Sequence, residues 1–318
     1  MRAPRLRLPV LVSVLAAAAP ASACGACGCT LNSDWSAQGY ASGAGIRLDL
    51  RFDYFNQDQQ RMGLHAADLS GITFPASQEI QRQTLNRNTT LTLDWSPNAD
   101  WGLTLIAPAY TRSHETIAEG DTAVSSSRSS GIGDLRLLGR YQGFSEDHSF
   151  GVQFGVKLPT GRTDDVFDAG PQAGGTVDKG LQLGTGSTDL ILGVYKFGDA
   201  TLQWGYFAQA SLQVAVSHKD GFRPGNGLNV NAGVRYTGWD KVTPALQLNV
   251  RAEKPESGAE ADRANSGATL AYLSPGVTVH LTNQVHLYAY VQVPVYQRVT
   301  GLQIEPKALY SLGLHCNF

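Results

Sequence analysis

The sequence runs to 318 residues with 25 Lys and Arg against 27 Asp and Glu, a formal net charge of −2, 35 Gly and only 2 Met. So balanced a charge argues against nucleic acid as a partner. No stretch reaches the roughly eighteen uninterrupted apolar residues of a membrane-spanning helix, although 42% of the residues are hydrophobic, which is what strands apolar on one face produce.

The amino terminus carries Arg2, Arg5 and Arg7, an apolar run from Leu8 to Ala19, and Ala21-Ser22-Ala23, the small-residue pattern a signal peptidase accepts. Residues 1–23 are expected to be a signal peptide, 24–43 a Cys-containing periplasmic segment and 44–318 a transmembrane β-barrel. Cys24, Cys27 and Cys29 form CxxCxC at the expected mature start, and Cys316 lies near the end of the last strand. Three readings of them stay open. One or two disulfides are the default in an oxidising compartment. Thiolates also select Cu(I) or Zn(II), with His280 and His286, which flank a short turn, as further ligands. Lipid attachment at Cys24 is the third, although the Leu usual three residues before such a Cys is missing. No CxxCH supports covalent haem.

Period-two alternation then predicts twelve strands, at 44–55, 81–95, 101–113, 131–142, 149–159, 187–197, 201–217, 226–238, 242–254, 268–281, 285–298 and 307–318. The first sets Ile46, Leu48, Leu50, Phe52 and Tyr54 against Arg47, Asp49, Arg51 and Asp53, a charged face that suits a wet lumen and no apolar core. The ninth sets Leu246, Leu248 and Val250 against Gln247, Asn249, Arg251 and Glu253. The sixth is the poorest, because both of its faces are largely apolar. Long connections rich in Gly, Ser, Asp and Thr alternate with short turns, and Trp95, Trp101, Trp204 and Trp239 fall beside the short turns, where an interfacial aromatic belt belongs. The last strand, ALYSLGLHCNF, alternates apolar with small polar residues and ends on Phe318. It looks like the terminal strand of an outer-membrane barrel, in which a final Phe serves the assembly machinery. The expected fold is an all-β, twelve-stranded antiparallel transmembrane β-barrel of the bacterial outer membrane.

Four segments, GIGDLRL at 131–137, KLPTG at 157–161, GTGSTDLILGVY at 184–195 and YVQVPVYQRVTGLQIEP at 290–306, resemble the outer-membrane barrel family named for the meta pathway of phenol degradation. The resemblance implies a transporter. It sits at loop-to-strand junctions, so it specifies architecture more than substrate.

Parity places Arg47, Arg51, Arg82, Arg112, Arg136, Arg140, Lys157, Arg235 and Arg251 on the lumen face with Asp49, Asp53, Asp94, Asp134, Asp189 and Glu253. These charges either select anions in a narrow pore or pair across strands and tie the wall together. Tyr288 and Tyr290, with His286, Gln292, Tyr110 and Phe207, offer an aromatic inner wall, either for contact with solute or as filler. No nucleophile elbow or Walker loop is present, and the adjacent His148 and Ser149 point to opposite faces, so an enzyme is not expected. The sequence thus reads as a monomeric or homo-oligomeric channel or transporter for passive uptake or efflux of a small aromatic or anionic solute. The alternative is a metal-handling or redox-linked outer-membrane protein that uses the CxxCxC segment.

Overall fold

Because successive side chains on a strand point to opposite faces, a sequence alternating apolar with polar can satisfy both only where one face meets lipid and the other meets water or itself. In the computed structural model, which describes residues 31, 33–40 and 43–318, that conflict is resolved by closing the sheet on itself. The strands are β1 (Gly45–Gly63), β2 (His65–Ala66), β3 (Ile80–Ser96), β4 (Trp101–Ile117), β5 (Ser125–Ile132), β6 (Leu135–Tyr141), β7 (Phe150–Leu158), β8 (Asp189–Thr201), β9 (Trp204–Ala215), β10 (Gly227–Tyr236), β11 (Val242–Glu253), β12 (Ala268–His280) and β13 (Val285–Asn317). Every pairing is antiparallel, strands adjacent in sequence pair except that β2 joins only β1 and that β5 and β6 both pair with β4, and β13 closes the ring against β1.

The wall sorts side chains as the alternation requires. Leu50, Leu91, Leu105, Leu192, Leu248 and Leu312 lie exposed on the outside, whereas Gln247, Asn249 and Gln292 are wholly buried inside. Asn249 donates to Asn231 Oδ1 at 2.8 Å and accepts from Ser274 Oγ at 2.6 Å, so the interior is held by polar ladders. Trp95, Trp101, Trp204 and Trp239 are all exposed at the short-turn end, where Trp101 meets the ring of Tyr141 and both Trp204 and Trp239 meet that of Tyr236.

Several element boundaries differ from the sequence expectation. The sheet has thirteen strands in place of twelve, because β2 and most of β5 form in stretches expected to be loop while β13 spans two expected strands. β1 continues to Gly63 and β4 to Ile117, through stretches expected to be loop. Residues such as Asn56, Gln57, Asp58 and Gln59 carry no apolar outward face, so nothing in their pattern marks a strand. They pair through the backbone beyond the lipid-facing band. The turn expected at 198–200 lies instead at Leu202 and Gln203, where Thr201 faces Trp204 across the hairpin. Arg82, expected in the lumen, is exposed, because the register slips between Gln81 and Gln83.

Candidate functional site

The short-turn end of the lumen is filled by the chain's own amino-terminal segment. Leu31 and Trp35 are buried against Tyr288 and Tyr290, and Ala37 against Tyr195, Phe197 and Phe207. The segment is a single tight turn: Asp34 Oδ1 accepts from Ala37 N at 2.9 Å, Gln38 N reaches Asp34 O at 3.0 Å and Tyr40 N reaches Trp35 O at 2.9 Å. Gly39 ends it at φ 76°, a conformation that favours glycine, and a Cβ there would lie 2.3 Å from the Phe197 ring. Trp35 stacks on His315 with ring centroids 4.1 Å apart and planes within 8°, and its other contacts are His286, Tyr40 and Tyr288. This explains the two apolar faces of β8, since Tyr195 and Phe197 turn inward to cover Ala37.

Polar groups of the wall fix the segment. Arg235 donates to the carbonyl of Gln38 and lies over the Tyr40 ring at 4.4 Å, Arg51 donates to Ser33 Oγ, and Gln153 donates to Asp34 Oδ2. Tyr288, expected to face solute, instead donates to Asp49 Oδ1 at 2.9 Å beneath Trp35. Neither Tyr288 nor Tyr290 borders the open lumen.

Most of the lumenal charges are paired. Arg47 bonds Asp94 at 2.7 Å, and Arg140 approaches the same carboxylate at 3.5 Å while donating to Ser96 Oγ at 2.7 Å. Arg51 pairs with Asp53 at 2.9 Å and Arg251 with Glu253, both two residues along the same strand face. Lys157 lies 2.8 Å from Asp189 and 3.5 Å from Asp134. Of the expected set, Arg136 and the exposed Arg82 have neither ion pair nor hydrogen bond among the described residues.

Above the segment lies a cavity of about 310 Å³ bordered by Arg51, Arg112, Arg136, Tyr110, Glu253 and Phe222, among others. The long-loop end closes over it: Arg112 donates to the carbonyls of Leu181 and Gln182 and so draws the short helical turn Lys179–Leu181 across the opening. In these loops Glu79 accepts from Thr116 Oγ1 at 2.5 Å. Burial and the neighbouring Asp178 and Asp262 carboxyls push Glu79 up to about 8, and burial raises Asp178 as well.

Cys24, Cys27 and Cys29 lie outside the described residues, as does the expected signal peptide. His280 and His286 are brought together, with their Nδ1 atoms 2.8 Å apart, and His286 lies near His315. Among the described residues no group of three or more His, Cys, Asp or Glu is arranged to hold a metal ion. Sequence parity located the inward faces but missed the lumenal segment. Its only signals were Trp35, the one Trp away from a short turn, and the apolar inner face of β8.

No family model and no curated protein matches the sequence. Similarity appears in the fold. The COG4313 outer membrane channel from Pseudomonas putida F1 superposes with a TM-score of 0.65 at 14% identity, covering 91% of this chain and 99% of that one. This chain is an outer-membrane β-barrel. The β domain of the Bordetella autotransporter BrkA (TM-score 0.46, 14% identity, 86% and 100% covered) and the Ralstonia pickettii toluene transporter TbuX (0.43, 10%, 87% and 90%) are more distant barrels. The exposed apolar belt and the Trp girdle at the short-turn end give the barrel its lipid-facing band.

Proposed function

We propose that the barrel is a channel for a small solute, described here in a closed state. The observation that carries this reading is the lumen itself: a cavity of about 310 Å³ that ends on Leu31 and residues 33–40 at one mouth and on the Lys179–Leu181 turn at the other. A barrel serving only as an anchor needs no cavity between two closures. A twelve-stave reading joins β5 and β6, leaves out the two-residue β2, which pairs only with β1, and divides β13 at Gly301, whose φ is 62°. Its first half pairs with β12 and its second with β1. The four segments that resemble the phenol meta-pathway family fit such a role, with lipid, the barrel-assembly machinery and a small solute as partners. Tyr288 and Tyr290 meet the solute only when the segment leaves. In planar bilayers the wild-type barrel should conduct weakly, and deletion of residues 31–40 should raise the conductance several-fold. A folded deletion variant that conducts no better than wild type would reject the reading.

A second reading, metal or redox chemistry at Cys24, Cys27 and Cys29, draws support from the facing nitrogens of His280 and His286 at the same mouth. A thiol count with metal analysis of the purified protein separates it from the first.

A further inference from the structure

Among the described residues Arg136 is the one lumenal guanidinium of the expected set left without a partner, and the reason is specific. Elsewhere on this wall an Arg pairs with the carboxylate two residues away on its own face, as Arg51 does with Asp53 and Arg251 with Glu253. The corresponding residue for Arg136 is Asp134, and its oxygens are taken. Asp134 Oδ1 accepts from Gly161 N at 3.0 Å, and Oδ2 accepts from Thr185 N and Oγ1 at 2.9 and 2.8 Å, with Lys157 at 3.5 Å. Directly across the strand pair Arg136 faces Lys157, a second cation. Like charges placed opposite each other are unfavourable unless something neutralises them, and the two carboxylates nearest Lys157 are already committed to it. Arg136 is half-buried and borders the 310 Å³ cavity, a volume at the lower end of the roughly 300–1,000 Å³ typical of small-molecule sites.

The surface beside it is apolar. Ile106 is the register partner of Arg136 on β4, and Pro108 and Tyr110 follow on the same inward face. Leu183 packs beside Tyr110 over the glycines at 131 and 133 and completes that wall. A free planar guanidinium matches a carboxylate with two parallel hydrogen bonds, and a flat apolar wall matches a ring. Building on the channel reading, we propose that Arg136 binds the carboxylate of a small aromatic acid whose ring lies along Ile106, Pro108 and Tyr110. The bound anion gives Arg136 the directly contacting carboxylate that Lys157 already has in Asp189 and Asp134.

The test is equilibrium binding of benzoate to the full-length folded barrel in detergent, with benzamide, acetate and chloride as competitors. Benzoate should bind saturably, and benzamide and acetate should each bind at least tenfold more weakly. Arg136→Gln should lower benzoate affinity tenfold or more. Arg136→Lys, which keeps the charge and loses the fork, should lie between them and serves if the Gln variant does not fold. Unchanged benzoate affinity in a folded Arg136 variant, equal competition by benzamide, or equal competition by chloride would each overturn the proposal. Conductance of the barrel lacking residues 31–40, measured in KCl without benzoate, separates the two readings. If it conducts while Arg136 is indifferent to benzoate, only the solute assignment fails; if it does not conduct, the channel reading fails.

Discussion

Trp35 should control whether the lumen is open. It is 7% exposed, stacks on His315 at 4.1 Å and touches His286, Tyr40 and Tyr288, so Trp35→Ala removes the largest single contact between the segment and the wall. Truncating a buried Trp costs about 3–5 kcal/mol where the void stays empty. Here the void opens toward a polar lumen that water can refill, so the lower figure applies. At about 1.4 kcal/mol per tenfold, a loss of about 3 kcal/mol raises the undocked fraction about 150-fold. The contacts of Arg235 with Gln38 and Tyr40 remain, so the segment loosens without being released from every anchor. Ser36, 4% exposed, is a suitable reporter. In a protein whose native Cys are replaced, Ser36→Cys should react slowly with a water-soluble maleimide, and about a hundredfold faster once Trp35→Ala is added. Trp35→Phe, which keeps a ring, should react at an intermediate rate. If Ser36→Cys labels equally fast with Trp35 present or absent, the segment is not held by the stack and the account of closure is wrong.

Leu248, 44% exposed beside the fully buried Asn249, faces lipid, so Leu248→Arg should cost about 2–4 kcal/mol in folding from detergent, whereas Asn249→Cys, not Leu248→Cys, should label through the lumen. Asp94→Ala leaves the buried Arg47 and Arg140 without their shared carboxylate and should lower barrel stability by about 3–5 kcal/mol, read from denaturant titration; a change below about 1 kcal/mol would mean that the lumen water already screens the pair. The backbone of Phe318 pairs with Ile46 in both directions, and its ring is exposed; deleting it should reduce the heat-modifiable folded fraction in outer membranes, and an unchanged yield would remove its assembly role. Glu79, raised from 4.5 to about 8, holds a proton in the folded loops that the unfolded chain releases, so its stabilisation is full below about pH 4.5 and is lost as pH rises through about 8. Limited proteolysis of the 160–186 loop should therefore quicken between pH 5 and pH 9, and Glu79→Gln should flatten that dependence.

The alternation of Leu48, Leu50 and Phe52 with Arg47, Asp49 and Arg51 is a local property with period two. The sequence by itself therefore determined which face of most strands meets lipid, where the Trp girdle lies and that the sheet has to close. The same logic failed where strands leave the membrane, because Gln57, Gln59 and Gln60 pair through the backbone and carry no apolar face to be recognised. The site depended on contacts between residues far apart in sequence. Arg47 meets Asp94, Tyr288 meets Asp49, Asp134 is taken by Thr185, and Trp35 settles on His315, each fixed by register and by the closure of β13 on β1. Parity could list the inward cations; only the tertiary structure decided that Arg136 has no partner among the described residues and that Trp35 and Ala37 pack inside the barrel, because pairing is a matter of distance across strands and not of spacing along one.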